Sequence, residues 1–384
     1  MTTTSTERWP GRAALMVAHC AGMVDLVALP VWVGTLIAHY GLDPQQAGGL
    51  ATLFLVGAVA SSLFFAPRLQ RLHARRAATL GFLVAGAAFI GVAFTAAYAA
   101  MALLHVVAGV GAACALSFTH GTIARSQRPH RLFALVGIAL GLFAVVFLGA
   151  TPKLVAAAGG PVLFMVFGGV MLVAALVCAA LFPLPPQADA RQAGGPSTGR
   201  IGTAVWFGAL GISCMTVVQA MVFSFLERIG ADRGFGLEAV TGVLIALGIV
   251  NLFPAALAAA LEQRVQARHV VLAGPMVQAA LALTIAQSTT FAPYAGAAAF
   301  FAAVMIFTHT YAFGLIARLD PSGRVLAATP AMLMVGSAIG PVLGGTLVKF
   351  QGYGSLGLAA AAMACIAVAC FSRARAPVPA LRAA

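Results

Sequence analysis

Charge is the scarcest commodity in this sequence. Only 8% of its 384 residues are charged, where a soluble globular domain carries about 25%, so a water-facing surface cannot be built from them. Acidic residues are rarest, nine Asp and Glu against 22 Lys and Arg. The six cysteines (Cys20, Cys114, Cys178, Cys214, Cys365, Cys370) show no CxxC or finger-like spacing and fall inside apolar runs, a pattern that predicts neither disulfides nor a structural zinc site. There is no Walker-type glycine loop, and nothing in the chain points to an enzyme or to a bound cofactor.

What is present is hydrophobic length. Apolar residues make up 61% of the chain and the mean hydropathy is +1.00. Runs long enough to cross a bilayer, roughly 20 residues each, recur throughout. They predict spans near 13–39, 45–67, 76–96, 99–123, 131–151, 161–183, 201–226, 238–261, 268–287, 292–317, 325–348 and 353–372. The first run is far longer than the roughly 7–15 residues of a signal-peptide core, so it is expected to be retained as span 1. Asp43-Pro44 reads as an N-cap with proline at the first helical position of span 2.

Twelve spans place both termini on one face. That face then holds 18 of the 22 basic residues, leaving Lys153, Arg228, Arg233 and Lys349 opposite. This split satisfies the positive-inside rule and predicts cytoplasmic termini. The excess of positive charge is thus a topology signal and not a nucleic-acid footprint. The Ala- and Arg-rich composition points to a bacterial inner membrane. One loop alone, Pro183 to Arg200, has the Pro, Gly and polar content of a linker. It divides the chain into an expected bundle over 1–183, a cytoplasmic linker over 184–200 and a second bundle over 201–384.

The halves repeat at an offset of about 193 residues. Arg71-Leu-His-Ala-Arg75-Arg76 matches Arg264-Val-Gln-Ala-Arg268-His269, Tyr40-Gly-Leu-Asp43 matches Phe235-Gly-Leu-Glu238, and Ile123-Ala-Arg125 matches Ile316-Ala-Arg318. Phe118-Thr-His120 recurs as Phe307-Thr-His309, four residues out of step. Two halves in parallel orientation place a solute site between them near mid-membrane.

On these features the chain resembles the major facilitator superfamily over essentially its whole length, and within it the drug/proton antiporters. Asp25-Leu-Val-Ala-Leu29-Pro30 is similar to their acid-then-Leu-Pro signature. His105-Val-Val-Ala-Gly109-Val-Gly111 resembles a span 4 motif in which the family has arginine at the place of His105. Between spans 2 and 3 only Arg75-Arg76 and the neighbouring Arg71 survive from a gating motif, with Pro67, Arg71 and Ala74 where a glycine, an aspartate and a second glycine are expected. Gly336-Ser-Ala-Ile-Gly340-Pro341 on span 11 is similar to a Gly-Pro motif usually borne on span 5. The resemblance implies an all-α membrane protein with twelve transmembrane helices in two pseudo-symmetric six-helix bundles, working as a monomer on a small-molecule substrate with protons as the coupling ion.

Asp25 is the one acid that falls well inside a predicted span. A carboxylate there is costly and normally faces a cavity, so it is the expected proton-coupling group; the alternative is a structural carboxylate hydrogen-bonded to a neighbouring helix. His105 is its expected partner, since an imidazole titrates where arginine does not; the alternative for His105 is a hydrogen bond to a backbone carbonyl. Gln219, Asn251 and His309 are candidate substrate-binding residues, each with ordinary interhelical contact as its alternative. Arg71, Arg75, Arg76, Gly340 and Pro341 are gating candidates. Glu227-Arg228 and Asp232-Arg233 read as a solvated gate or loop. His19, projecting away from Asp25, forms with Cys20 and Met23 a soft-ligand group that would need other helices to hold copper.

No Lys or Arg lies deep in a span, and organic anions generally require such a cation. That disfavours a multiply anionic cargo and favours small hydrophobic, neutral or weakly cationic compounds. The leading expectation is a proton-coupled antiporter exporting such a compound. Its alternatives are proton symport of an organic nutrient, copper transport, and a non-transporting membrane sensor or assembly factor.

Overall fold

The structure, a computed structural model, describes residues 6–69, 71–184, 202–320 and 324–374, with backbone alone at 130 and 324–332. The expected linker lies outside the described residues except for Leu184.

Among the described residues, twelve helical spans are long and apolar enough to cross a bilayer. Span 1 is α1 (Trp9–Gly22) followed by α2 (Val24–Tyr40). Spans 2 to 6 are α3 (Pro44–Phe65), α4 (Ala74–Ala93), α5 (Tyr98–Ala124), α6 (Pro129–Ala158) and α7 (Pro161–Leu181). Span 7 is α8 (Thr203–Phe223) with α9 (Leu226–Asp232), and span 8 is α10 (Leu237–Val250) with α11 (Pro254–Leu261). Spans 9 to 12 are α12 (Ala267–Gln287), α13 (Phe291–Leu319), α14 (Arg324–Gln351) and α15 (Gly354–Arg373). The expected spans are all present; three of them are interrupted, which hydropathy alone does not register.

The turn between spans 1 and 2 shows how local chemistry sets boundaries. Gly41 ends α2 in the left-handed region at φ 63°, a conformation glycine adopts without a Cβ penalty. Asp43 then caps α3 reciprocally with Gln46: the Gln46 N–H donates to Asp43 Oδ1 at 2.9 Å and the Asp43 N–H donates to Gln46 Oε1 at 3.2 Å. With Pro44 at the first helical position, the start of span 2 is over-determined.

Packing follows the repeat. In the first six spans α4 packs on α5, α3 on α5 and α4 on α7; in the last six α12 packs on α13, α10 on α13 and α12 on α15. Between the halves α3 lies on α14 and α6 on α10, the two pairings a pseudo-twofold exchanges. Spans 1 and 7 meet where α2 crosses α9. These are the most buried spans, with 72% and 89% of their central windows inside the protein, so they form the axis around which any central site is built.

Candidate functional site

The interruption in span 1 falls at Met23, which stands outside helical geometry at φ −107° and ψ 18°. Asp25 occupies the first turn of the new helix, half-buried, about 24 Å along a span of about 48 Å. It therefore lies near mid-membrane. Free N–H groups at a helix start favour an anion, and the Asp25 carboxyl lies by the N–H of Leu26 and its own. Five residues on, Pro30 has no N–H to give to the Leu26 carbonyl. Span 1 thus has loosened backbone on both sides of Asp25.

Two turns further along the same face of α2, Trp32 is fully buried in a box of rings. Phe54, Phe89 and Phe167 approach it edge-on at 5.3, 5.8 and 5.0 Å, and His105 stacks on it at 5.5 Å and 26°. The His105 Nδ1–H donates to the Met101 carbonyl at 2.6 Å. His105 and Asp25 are not joined by a hydrogen bond or ion pair among the described residues. The His105 ring is instead engaged by the box and its Nδ1 by its own helix.

His19 faces a partner the sequence did not reveal. Its Nδ1 lies 3.0 Å from Nε2 of His120 on α5, one nitrogen donating to the other, and His120 meets Phe133 edge-on at 5.6 Å. This pair engages His19 away from the Cys20 and Met23 grouping; among the described residues no three His, Cys, Asp or Glu side chains converge as a metal site.

Span 7 corrects a second expectation. Glu227 and Asp232 belong to α9, a continuation of the span, and not to a solvated loop. The Glu227 carboxylate packs over Gly34 of α2, so that a Cβ there would have to push the carboxylate aside. Asp25 is therefore not the one intramembrane acid. Glu227 lies about 12 Å nearer the far face than Asp25, by helix rise. Around it Arg228 pairs with Asp232 at 2.8 Å, the Tyr353 hydroxyl donates to Asp232, and Arg233 donates to the carbonyls of Ile285 and Ala286 at the end of α12.

The α3–α14 seam is the tightest contact between halves. Gly48 abuts the Pro341 carbonyl and Gly345 abuts that of Pro44, so each lets backbone meet backbone. Gly340 points the other way, onto Val217, Ala220 and Met221 of α8. Between these contacts the Thr52 hydroxyl donates to the Ala338 carbonyl at 2.7 Å and accepts from the Val342 N–H at 3.2 Å. Those two groups close one i to i−4 ring in an unbroken helix. Thr52 thus stands in the hydrogen-bond ladder of the opposite half, beside Pro341. Toward the far face the seam continues through Gln45–Thr346 at 3.2 Å to the Asp43–Lys349 ion pair at 3.0 Å. Lys153–Glu238, at 2.9 Å, ties the α6–α10 seam on the same face.

The remaining candidates separate. Arg75 donates twice to the Phe182 carbonyl, at 3.0 and 2.8 Å, fastening α4 to the end of α7 inside one half; Arg71 and Arg76 are exposed on the face that bears the termini. Gln219 accepts from Gln278 Nε2 at 3.2 Å, an α8–α12 contact, and Gln278 is buried. His309 donates from Nδ1 to Met305 at 3.0 Å. Asn251 ends α10 at the span 8 interruption, with its Oδ1 buried and unpartnered among the described residues. These three do not form one cluster with Asp25. Sequence reading missed Glu227, Thr52 and His120. A small-residue spacing, Gly48-x-x-x-Thr52, was the available signal for the seam, and the recurring Phe-Thr-His for His120.

Comparisons with known proteins complete the description. A profile of the Major Facilitator Superfamily matches residues 14–323. Comparison with curated proteins finds no relative. Among solved structures, the chain is similar to a bacterial homologue of the human lysosomal transporter Spinster in an inward-facing, occupied conformation (TM-score 0.69, 14% identity, covering 94% of this chain and 95% of that one). It is similar also to the unoccupied inward-facing form (0.71, 13%, 96% and 97%) and to the nucleoside transporter NupG in a mutant form (0.75, 12%, 95% and 100%).

Proposed function

The chain belongs to the Major Facilitator Superfamily, and from that premise we propose that it is a proton-coupled antiporter exporting a small hydrophobic, neutral or weakly cationic compound. Residues 1–183 rock against 201–384 around a central site, so that the site opens alternately to each side. Both termini are cytoplasmic, in a bacterial inner membrane, and the monomer is the working unit.

The observation that carries this reading is Asp25 in the loosened middle of span 1. Backbone freed from helical bonding at membrane depth is tolerated where it is buried in protein or lines a water-filled cavity, and a carboxylate facing lipid would be expensive. Asp25 sits at mid-membrane on the face of α2 that it shares with Trp32, inside the first half, and alternating access loads and unloads its proton there. His105 acts as a positioning residue through Trp32. Glu227 is the second protonatable group, at the α2–α9 crossing that opens when the far face opens. Gln219, Asn251 and His309 supply polar contacts in the other half. The ion-paired far face supports an inward-facing state, like that of the Spinster-homologue structures.

The test is flux in proteoliposomes. Asp25→Asn is expected to abolish transport driven by a pH gradient while substrate exchange at equal pH persists. Gradient-driven transport at the wild-type rate would remove Asp25 from the mechanism.

A further inference from the structure

Where α1 and α6 begin, on the face that bears the termini, a groove of about 260 Å³ is lined by Glu7, Trp9, Arg12, Arg128, Arg131 and, deeper, Leu135 and Ile138. Both spans start at this level, at Trp9 and Arg131, so the groove lies where headgroups meet hydrocarbon. Three guanidiniums face one carboxylate, a local charge of +2. Arg12 already holds Glu7 at 2.9 Å, yet its Nε is buried without a hydrogen-bond partner among the described residues. Arg128 and Arg131 are exposed at the rim. Arg128 is also the N-cap of α6, and no side chain caps that helix start, which leaves first-turn N–H groups for an anion. Below the rim the polarity changes abruptly: Ile138, Leu142 and Val146 form a stripe exposed at 57%, 57% and 69%, running four residues apart down α6 toward the hydrocarbon.

From this arrangement we infer that the groove binds an anionic glycerophospholipid. Its phosphodiester sits among Arg12, Arg128, Arg131 and the start of α6, and one acyl chain follows the Ile138–Leu142–Val146 stripe. A planar guanidinium suits a phosphate oxygen pair, and the excess of two positive charges selects a net-negative headgroup over a zwitterionic one. A soluble phosphate ester would satisfy the arginines but leave the apolar stripe unused. The groove itself lies between two helices of the first half, α1 and α6.

The experiment uses the full-length protein in detergent, read by native mass spectrometry and by thermal unfolding as lipid is added. Dioleoyl-phosphatidylglycerol is expected to be retained and to raise the unfolding midpoint, with phosphatidylcholine, phosphatidylethanolamine and glycerol 1-phosphate without measurable effect. Replacing Arg128→Gln and Arg131→Gln together is expected to weaken phosphatidylglycerol binding about fivefold for each arginine removed, while the paired changes Arg264→Gln and Arg268→Gln, on the same face of the other half, leave it unchanged. Both groove arginines are exposed, so the variant is expected to fold. Equal weakening by the two double variants would mean diffuse surface electrostatics and would overturn the site. Equal binding of phosphatidylethanolamine would overturn the anionic selectivity, and glycerol 1-phosphate binding as tightly as the lipid would overturn the lipid assignment.

Discussion

Spans 1 and 7 occupy equivalent places in the two halves, and each is broken and carries a carboxylate just beyond the break. They are broken differently. Span 1 opens at Met23, about halfway through the bilayer, and places Asp25 in the loosened turn. Span 7 opens at Ser224 and Phe225, nearer the far face, and its Glu227 is pressed onto Gly34 of the opposite half. One acid therefore lies inside the first half at mid-membrane, and the other lies in the α2–α9 contact between the halves. The sequence repeat implies equivalence; the two acids occupy different places, and the proposed function gives them different work.

The comparison can be broken most directly by neutralising each acid. Asp25→Asn should remove pH-gradient-driven flux to background, whereas Glu227→Gln should keep it and shift the balance between far-face-closed and far-face-open states, read by labelling of single cysteines placed along α2 and α9. If both variants lose coupling equally, the division of labour between the halves is wrong.

The next largest effects are expected at the two seams. A methyl added at Gly48 or Gly345 meets backbone oxygen, which cannot swing aside, so Gly48→Ala or Gly345→Ala should cost on the order of 1–3 kcal/mol of the closed state and lower the unfolding midpoint. At Gly149 in the α6–α10 seam the nearest atoms belong to the end of the Ile245 side chain, at 3.3 Å, and Gly149→Ala should be tolerated. Equal sensitivity at both seams would show that α14 holds no special position.

Thr52→Val keeps the shape but removes the hydroxyl from the α14 ladder. The expected loss is about 0.6 kcal/mol, the average for a polar contact between membrane helices, measured as a shift toward the open state without loss of coupling. His105→Phe sharpens the assignment of roles within the first half. A positioning residue predicts an unchanged pH profile of flux, and a proton relay predicts a displaced one.

The smallest effect belongs to Asp43 and Lys349. Partial burial works to raise the Asp43 carboxyl, but the Gln46 N–H and the Lys349 ammonium outweigh it and hold it below the usual carboxylate range. A lowered value in the folded state means that the pair contributes above the ordinary carboxylate pKa of about 4 and is lost as pH falls through the lowered value. Because both side chains remain about one-third exposed, Asp43→Asn should shift the closed state only slightly at neutral pH, and the shift should vanish in acid.

Much of the fold was legible because hydropathy and charge are read by the bilayer itself. Each expected span is present, and the Asp43-Pro44 start of span 2 appears as a full capping box. The site was legible only where an unusual residue falls inside an apolar run, as at Asp25. Glu227 escaped because it stands among other charges near a span end, and sequence cannot show that one member of such a group turns inward. His105 stands out in the sequence as a histidine inside an apolar run, but the stacking of its ring on Trp32 depends on the crossing of α2, α4, α5 and α7.

The sequence by itself determined that this chain spans a membrane twelve times in two related halves, with basic residues gathered on the terminal face. Those properties depend on length, hydropathy and charge, which are additive along the chain. Tertiary packing alone settles which acid meets the opposite half, which glycines let the halves touch, and which threonine enters the ladder of the helix opposite. Those depend on the distances between residues hundreds of positions apart, and no local pattern encodes them.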